Sequence, residues 1–182
     1  PINFTGRKTE KWIDEYRESL SPEQIDGLTK EECDKWIIEG LGKVAEMGKK
    51  YKVMPLLETH DDFSDGKVVR QFIDSCCSDN IGILWDCLHP YRYSLDLKET
   101  YSHIKGKVHH VHMKDSSNLS PHGFRPALVG DGEMDIQTAL DILKEDNYSN
   151  YISFEWEKLW FMDIEPPEVA FPQFIQAINK ML

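Results

Sequence analysis

Residues 81–90 read Ile-Gly-Ile-Leu-Trp-Asp-Cys-Leu-His-Pro: an apolar run of strand length, Ile81 to Trp85, that stops on Asp86 and turns at Pro90. Three further stretches share this form. Val53 to Leu57 runs into Glu58 (LLETH), Val108 to Met113 carries His112 near its end (HHVHMKD), and Tyr151 to Trp156 carries Glu155 (ISFEWE). Between the runs lie patterns with helical spacing: Val68, Val69, Phe72 and Ile73; then Leu95, Leu97 and Tyr101; then Ile136, Ala139, Leu140 and Leu143. A last helix is predicted on Phe171, Phe174, Ile175 and Ile178. Short apolar strands alternating with helices predict an α/β fold, a parallel sheet of βαβ units with right-handed crossovers. Pro55 removes a backbone donor from the first run, so that strand should start late, bulge or lie at an edge.

Upstream, the pattern is helical. Trp12, Ile13, Tyr16 and Leu20 share a face, and Ser21-Pro22-Glu23-Gln24 reads as a cap that opens a new helix. Thr29 with Glu32 repeats the capping signal before Trp36, Ile37, Leu41, Val44 and Ala45, a helix predicted to reach about Lys49. A short strand is possible at Pro1 to Phe4. The expectation is one domain over residues 1–182, with a helical lead-in over 1–50 and the βα units over 51–182. The segment from Ser116 to Gly132, rich in Ser, Pro and Gly, reads as a long functional loop.

The chain has 182 residues, 40% hydrophobic and 29% charged, enough for a folded domain with a core. Twenty-one Lys and Arg against 32 Asp and Glu leave a net charge of −11, which argues against binding a phosphate backbone. No apolar stretch is long enough to span a membrane, and the first residues lack the order of a signal peptide. Cys33, Cys76, Cys77 and Cys87 show no paired spacing and read as reduced thiols, so the expected location is the cytoplasm.

All strand C-termini of a parallel sheet lie on one face, so residues 28, 26 and 43 positions apart (58 to 86, 86 to 112, 112 to 155) can converge there. Three carboxylates and an imidazole suit Mn, Mg or Co, with Zn also possible, and keep positions open for substrate oxygens. Glu157 shares a strand face with Glu155, which is preferred because it directly follows the apolar run; His112 is preferred over His109 and His110 as the one nearest the strand end. Lys114 either binds a substrate hydroxyl or pairs with Asp115 or another carboxylate. Trp85, Trp156 and Trp160 are candidates for an apolar wall, at least one of them belonging to the core.

As an ordered set, LLETH, WDCLHP, VHMKD and EWE resemble the strand-end motifs of the sugar isomerase/epimerase superfamily, the xylose-isomerase-like barrels, over about Lys50 to the C-terminus. The resemblance implies a (β/α)8 TIM barrel of which this chain holds only about the last four to five βα units. It implies one divalent metal held by Glu58, Asp86, His112 and Glu155, with His89 and Arg125 on the substrate. The reaction implied is interconversion of ketoses or related polyols by proton transfer through an ene-diolate, with Glu58 and Glu155 taking and returning the proton. The partner is then a small sugar or polyol, and the rest of the barrel is either a missing N-terminal half or a second copy in a homo-oligomer. Two other readings compete: a truncated barrel that binds without turnover, and, less favoured by the acidic charge, an endonuclease-like metal hydrolase.

Overall fold

In a computed structural model the described residues are 29–182. The expected helices on Trp12 to Leu20 and from Ser21, and the strand at Pro1 to Phe4, lie outside them. Two compact units result: residues 29–55 with 71–81, and Leu56–Arg70 with Gly82–Leu182.

The first unit is built on helix α1, Lys30–Tyr51. Its start is the expected capping box: the Thr29 side chain accepts from the Glu32 amide, and the Glu32 carboxylate accepts from the Thr29 amide at 2.8 Å. At the other end Asn80 Nδ2 donates to the carbonyls of Ala45 and Val53, at 3.0 and 2.9 Å. Trp36 and Ile37, expected on the apolar stripe, are exposed, while Ala45 is buried.

The second unit holds a four-stranded parallel sheet in the order β1-β2-β3-β6, formed by Leu56–Glu58, Gly82–Asp86, Val108–Met113 and Ile152–Phe154. The parallel βαβ arrangement expected from the sequence is therefore present. Strand β1 starts late, directly after Pro55, where the missing amide costs no ladder bond. Strand β2 is buried along its whole length, which is why its sequence is a continuous apolar run and not an alternation. Trp85 is fully buried against Tyr101, with ring centroids 4.7 Å apart.

Helices connect the strands. Helix α2, Gly66–Ser75, follows a 3-10 turn at Asp61–Phe63; α3, Leu88–Arg92, and α4, Leu97–Ile104, follow β2. Helix α5, Ile136–Glu145, precedes β6, and α6, Pro167–Met181, closes the chain. Asp96 and Asp135 cap α4 and α5, each accepting an amide three residues on. Phe154 of β6 stacks on Phe174 of α6 at 4.5 Å. Among the described residues no helix is long and apolar enough to cross a membrane.

The Ser116 to Gly132 segment differs from its reading as a loop. Asp115–Ser120 (β4) and Gly123–Ala127 (β5) form an antiparallel hairpin. Its Ser and Gly content masks the strands because the pairing is irregular: Asn118 takes a left-handed φ of 55° where the register shifts. Behind the hairpin, the buried Asp115 carboxylate accepts from the amides of Ser116, Gly130, Gly132 and Met134 at 2.8–3.1 Å, which orders the return to α5.

A Cβ added at Gly66 would run into the carbonyl oxygen of Thr100 on α4. Gly66→Ala should therefore lower stability by about 1–3 kcal/mol, read from the denaturation midpoint. An unchanged midpoint would show that the two segments can separate freely.

Candidate active site

Glu58 and Asp86 are the last residues of β1 and β2, His112 is the penultimate residue of β3, and Glu155 follows β6. The ladder registers them: Glu58 lies opposite Leu84, Asp86 opposite His112, and His112 opposite Ser153. Backbone bonds continue past the strand ends, from Thr59 N to Leu84 O at 3.0 Å and from Glu155 N to Met113 O at 3.3 Å. Side chains then converge so that one donor atom from each of Glu58, Asp86, His112 and Glu155 lies within 4.8 Å of the other three. His112 Nδ1 lies 3.0 Å from Glu58 Oε1 and 3.5 Å from Glu155 Oε2.

Thr59 holds the first two strand ends in place. Fully buried, its hydroxyl donates to Asp86 O at 2.9 Å and accepts from Asp86 N at 2.8 Å. Sequence reading passed over it, although a Thr next to a strand-end carboxylate is the residue type able to bond both ways.

Lys114, directly after β3, has its side chain 2% exposed. Its ammonium lies 2.6 Å from Glu155 Oε2, 3.0 Å from Asp86 Oδ2 and 3.2 Å from Glu157 Oε1. Of the two roles read for it, the structure shows pairing with carboxylates, but with these three and not with Asp115, whose oxygens serve backbone amides. Glu157 is thereby part of the constellation through Lys114, and Glu155 is the one that joins the four-residue group.

The charges are strongly coupled. Burial pushes Asp86 up to about 7, even against the pull of Lys114. Burial alone would raise Glu155 too, but hydrogen bonding to His112 and the charge of Lys114 hold it well below the usual carboxylate range. Burial opposes protonation of His112, yet its contacts with Glu155 and Glu58 lift it to about 9. For Lys114 burial is likewise overridden, by Asp86, Glu155 and Glu157, so it remains charged.

The donor set fits a divalent cation. Asp86 Oδ1 accepts the Leu88 amide at 2.9 Å, while the inward Oδ2 is buried and has no hydrogen bond, Lys114 approaching it without the alignment of one. Hard carboxylate oxygens with one imidazole are ligands that Mn, Mg, Co or Zn accept.

A second group, His60, Asp61 and His89, also brings its donors within 4.8 Å, the first two being residues the sequence reading did not single out. Asp61 reaches it in a left-handed conformation, φ 44°, and Arg92 donates to its Oδ1 at 2.6 Å. His89 is 1% exposed; burial and the charges of Lys114, His60 and Arg92 hold it neutral. The Lys114 ammonium, which can only donate, lies 3.4 Å from His89 Nε2, so the ring proton sits on Nδ1, which has no partner. A buried N–H needing an acceptor suits a substrate oxygen better than a second cation. Phe124 of β5 lies edge-on to His89 at 6.0 Å and over Lys114 at 5.4 Å, so the hairpin forms a wall of the site.

Other candidates lie elsewhere. Arg125, expected on the substrate, is 43% exposed and is bound by Asp163 at 2.8 Å, a carboxylate that satisfies its guanidinium outside the cluster. Trp85 is core, Trp156 stacks on Phe154 and donates to Glu165 O at 2.9 Å, and Trp160 is exposed. His110 bonds Ser153 at 2.7 Å, leaving His112 as the inward histidine.

Comparison with known proteins gives the family and the fold. The family model described as "Xylose isomerase-like TIM barrel" matches residues 14–180. An inosose isomerase of Halalkalibacterium halodurans is 26% identical over 139 residues, 70% of this chain and 48% of that protein. An L-ribulose 3-epimerase structure superposes with a TM-score of 0.70 at 23% identity, over 85% of this chain and 55% of the other. The IolI protein, solved with a bound zinc atom, superposes with a TM-score of 0.67 at 18% identity, over 85% and 58%. The chain thus spans about half the length of the relatives it matches, and the solved structures share its fold.

Replacing Thr59 by the isosteric Val takes this side-chain partner from the backbone N–H and C=O of Asp86 at the strand end. Thr59→Val should cost about 1–3 kcal/mol in stability, measured by thermal or chemical unfolding. A loss below about 0.5 kcal/mol would mean that the strand ends are held without it.

Proposed function

The chain belongs to the xylose isomerase-like TIM barrel family, and from that premise we propose that it carries the metal centre of a sugar isomerase or epimerase acting on a ketose or related polyol. The observation that supports this most is the convergence of Glu58, Asp86, His112 and Glu155 within 4.8 Å at the C-terminal ends of four parallel strands. These residues would hold one divalent ion, Mn, Mg or Co by ligand hardness, with Zn accepted as well. When bound, the ion supplies positive charge that lowers the cost of removing a proton next to a sugar carbonyl.

The protein's own groups divide the remaining work. Glu155 and Glu58, which share His112 between them, would take and return the proton. Return to the opposite face of the same carbon gives an epimer; return to the neighbouring carbon gives an isomer. His89 offers its unpartnered Nδ1–H to a substrate hydroxyl, and Phe124 excludes water beside it. Arg125, if it serves the substrate, would do so by leaving Asp163. The proposal sets this work in the cytoplasm, among soluble sugar enzymes.

A second reading, binding of metal or sugar without turnover, draws on one fact: the relatives that match are about twice as long as this chain.

The test is deuterium exchange from solvent into a panel of ketoses and inososes, with Mn or Mg and with an EDTA-treated control. Metal-dependent exchange at a carbon next to the carbonyl is expected, and Glu155→Gln should reduce it about 10²–10⁴-fold while the protein stays folded. Metal binding without exchange supports the second reading; full exchange by Glu155→Gln removes its assigned role.

A further inference from the structure

Two of the oxygens that the proposed cation needs are also the closest partners of a lysine. The inward oxygen of Asp86 is Oδ2, since Oδ1 is taken by the Leu88 amide, and Lys114 Nζ lies 3.0 Å from it. Glu155 Oε2, which faces His112 Nδ1 at 3.5 Å, lies 2.6 Å from the same ammonium. A divalent ion on these oxygens and an ammonium within 3 Å of them repel strongly in a buried setting, so the two cations compete. Lys114 also has a carboxylate outside the four-residue group, Glu157 Oε1 at 3.2 Å. Its ammonium already donates to that Glu157 oxygen, so a partner is in place if the other two are taken.

We propose that Lys114 is the built-in counter-charge of the acidic cluster, holding Asp86 and Glu155 together until a divalent cation takes their oxygens, whereupon Glu157 receives the ammonium. The inference rests on the metal-centre reading above. In this role Lys114 is a positioning residue: it keeps the carboxylates assembled against their mutual repulsion and sets the affinity for the ion, without touching substrate. Lys114 supplies the needed positive charge at contact distance, 3.0 Å from Asp86 Oδ2 and 2.6 Å from Glu155 Oε2, where the carboxylates would otherwise repel one another. Position 157 then has a purpose that the preference for Glu155 as ligand left open. Glu155 and Glu157, both just past the end of β6, divide the two cations between them.

The experiment is a double-mutant cycle on the 182-residue chain, measuring Mn binding by calorimetry and the unfolding midpoint with and without Mn. Lys114→Met should lower the midpoint of the EDTA-treated protein, tighten Mn binding about tenfold or more, and recover on adding Mn a larger share of stability than the wild type gains. Glu157→Gln should weaken Mn binding about tenfold in the wild-type background. In the Lys114→Met background the same change should have an effect of about twofold or less, because there is no ammonium left to receive. Weaker or unchanged Mn binding by Lys114→Met overturns the proposal. So does a Glu157→Gln effect that persists at full size in the Lys114→Met background, since that is a plain long-range charge effect. Should Lys114→Met fail to fold without metal, Glu157→Gln alone decides: affinity equal to wild type overturns the role. Wild-type protein whose Mn binding is absent, or insensitive to Glu58→Gln, sinks the metal-centre reading itself and this inference with it, a result distinct from failure of the cycle.

Discussion

At one end of the sheet, Asp86 and Glu155 have to be held close to each other and to Glu58 largely out of water, and the ammonium of Lys114 together with the imidazole of His112 makes that possible. Gathering like charges in a medium poorer in water than the surface is unfavourable by several kcal/mol per ion unless opposite charge is supplied at contact distance. Lys114 supplies it from the residue immediately after β3, with an arm long enough to reach two neighbouring strand ends. His112 supplies it between Glu58 and Glu155. The rest of the unit serves this balance, since parallel pairing aligns the four ends, Thr59 locks the first two, and the hairpin carrying Phe124 covers the ammonium.

The same balance explains the division between reactive and inert groups. His89 lies next to two cations and is held neutral, so it can donate a hydrogen bond but is a poor partner for another positive charge. Arg92 is committed to Asp61, and Arg125 to Asp163. The site is thus built from paired charges, with few groups left over. Among the buried atoms left without hydrogen bonds are Asp86 Oδ2, His89 Nδ1, His60 Nδ1 and Arg92 Nε.

Much of this was legible in the chain. The alternation of apolar runs with helical spacing depends on neighbours a few residues away, and the observed strands begin or end within a few residues of the runs that announce them. Glu58, Asp86, His112 and Glu155 could be picked out because each lies within one residue of the end of a strand, and parallel strands put those positions on one edge whatever the details of packing. The hairpin was not legible, because its Ser, Pro and Gly residues are those of a loop and its strands exist by virtue of pairing with each other, bulge included. The ion pair of Arg125 was not legible for a related reason: its partner, Asp163, lies 38 residues on.

By itself the sequence determined the class of the fold, the polarity of its strands and the identity of four side chains at their ends, because periodicity and strand-end position are local properties. Tertiary structure alone decided the pairings among charges. Lys114 meets Glu155 across 41 residues, Asp86 across 28 and Glu157 across 43, and whether it faced Asp115 beside it or these three was settled by strand order and the turn at the end of β3. Electrostatic energy depends on distance through space, and sequence separation carries no information about that until the sheet has formed.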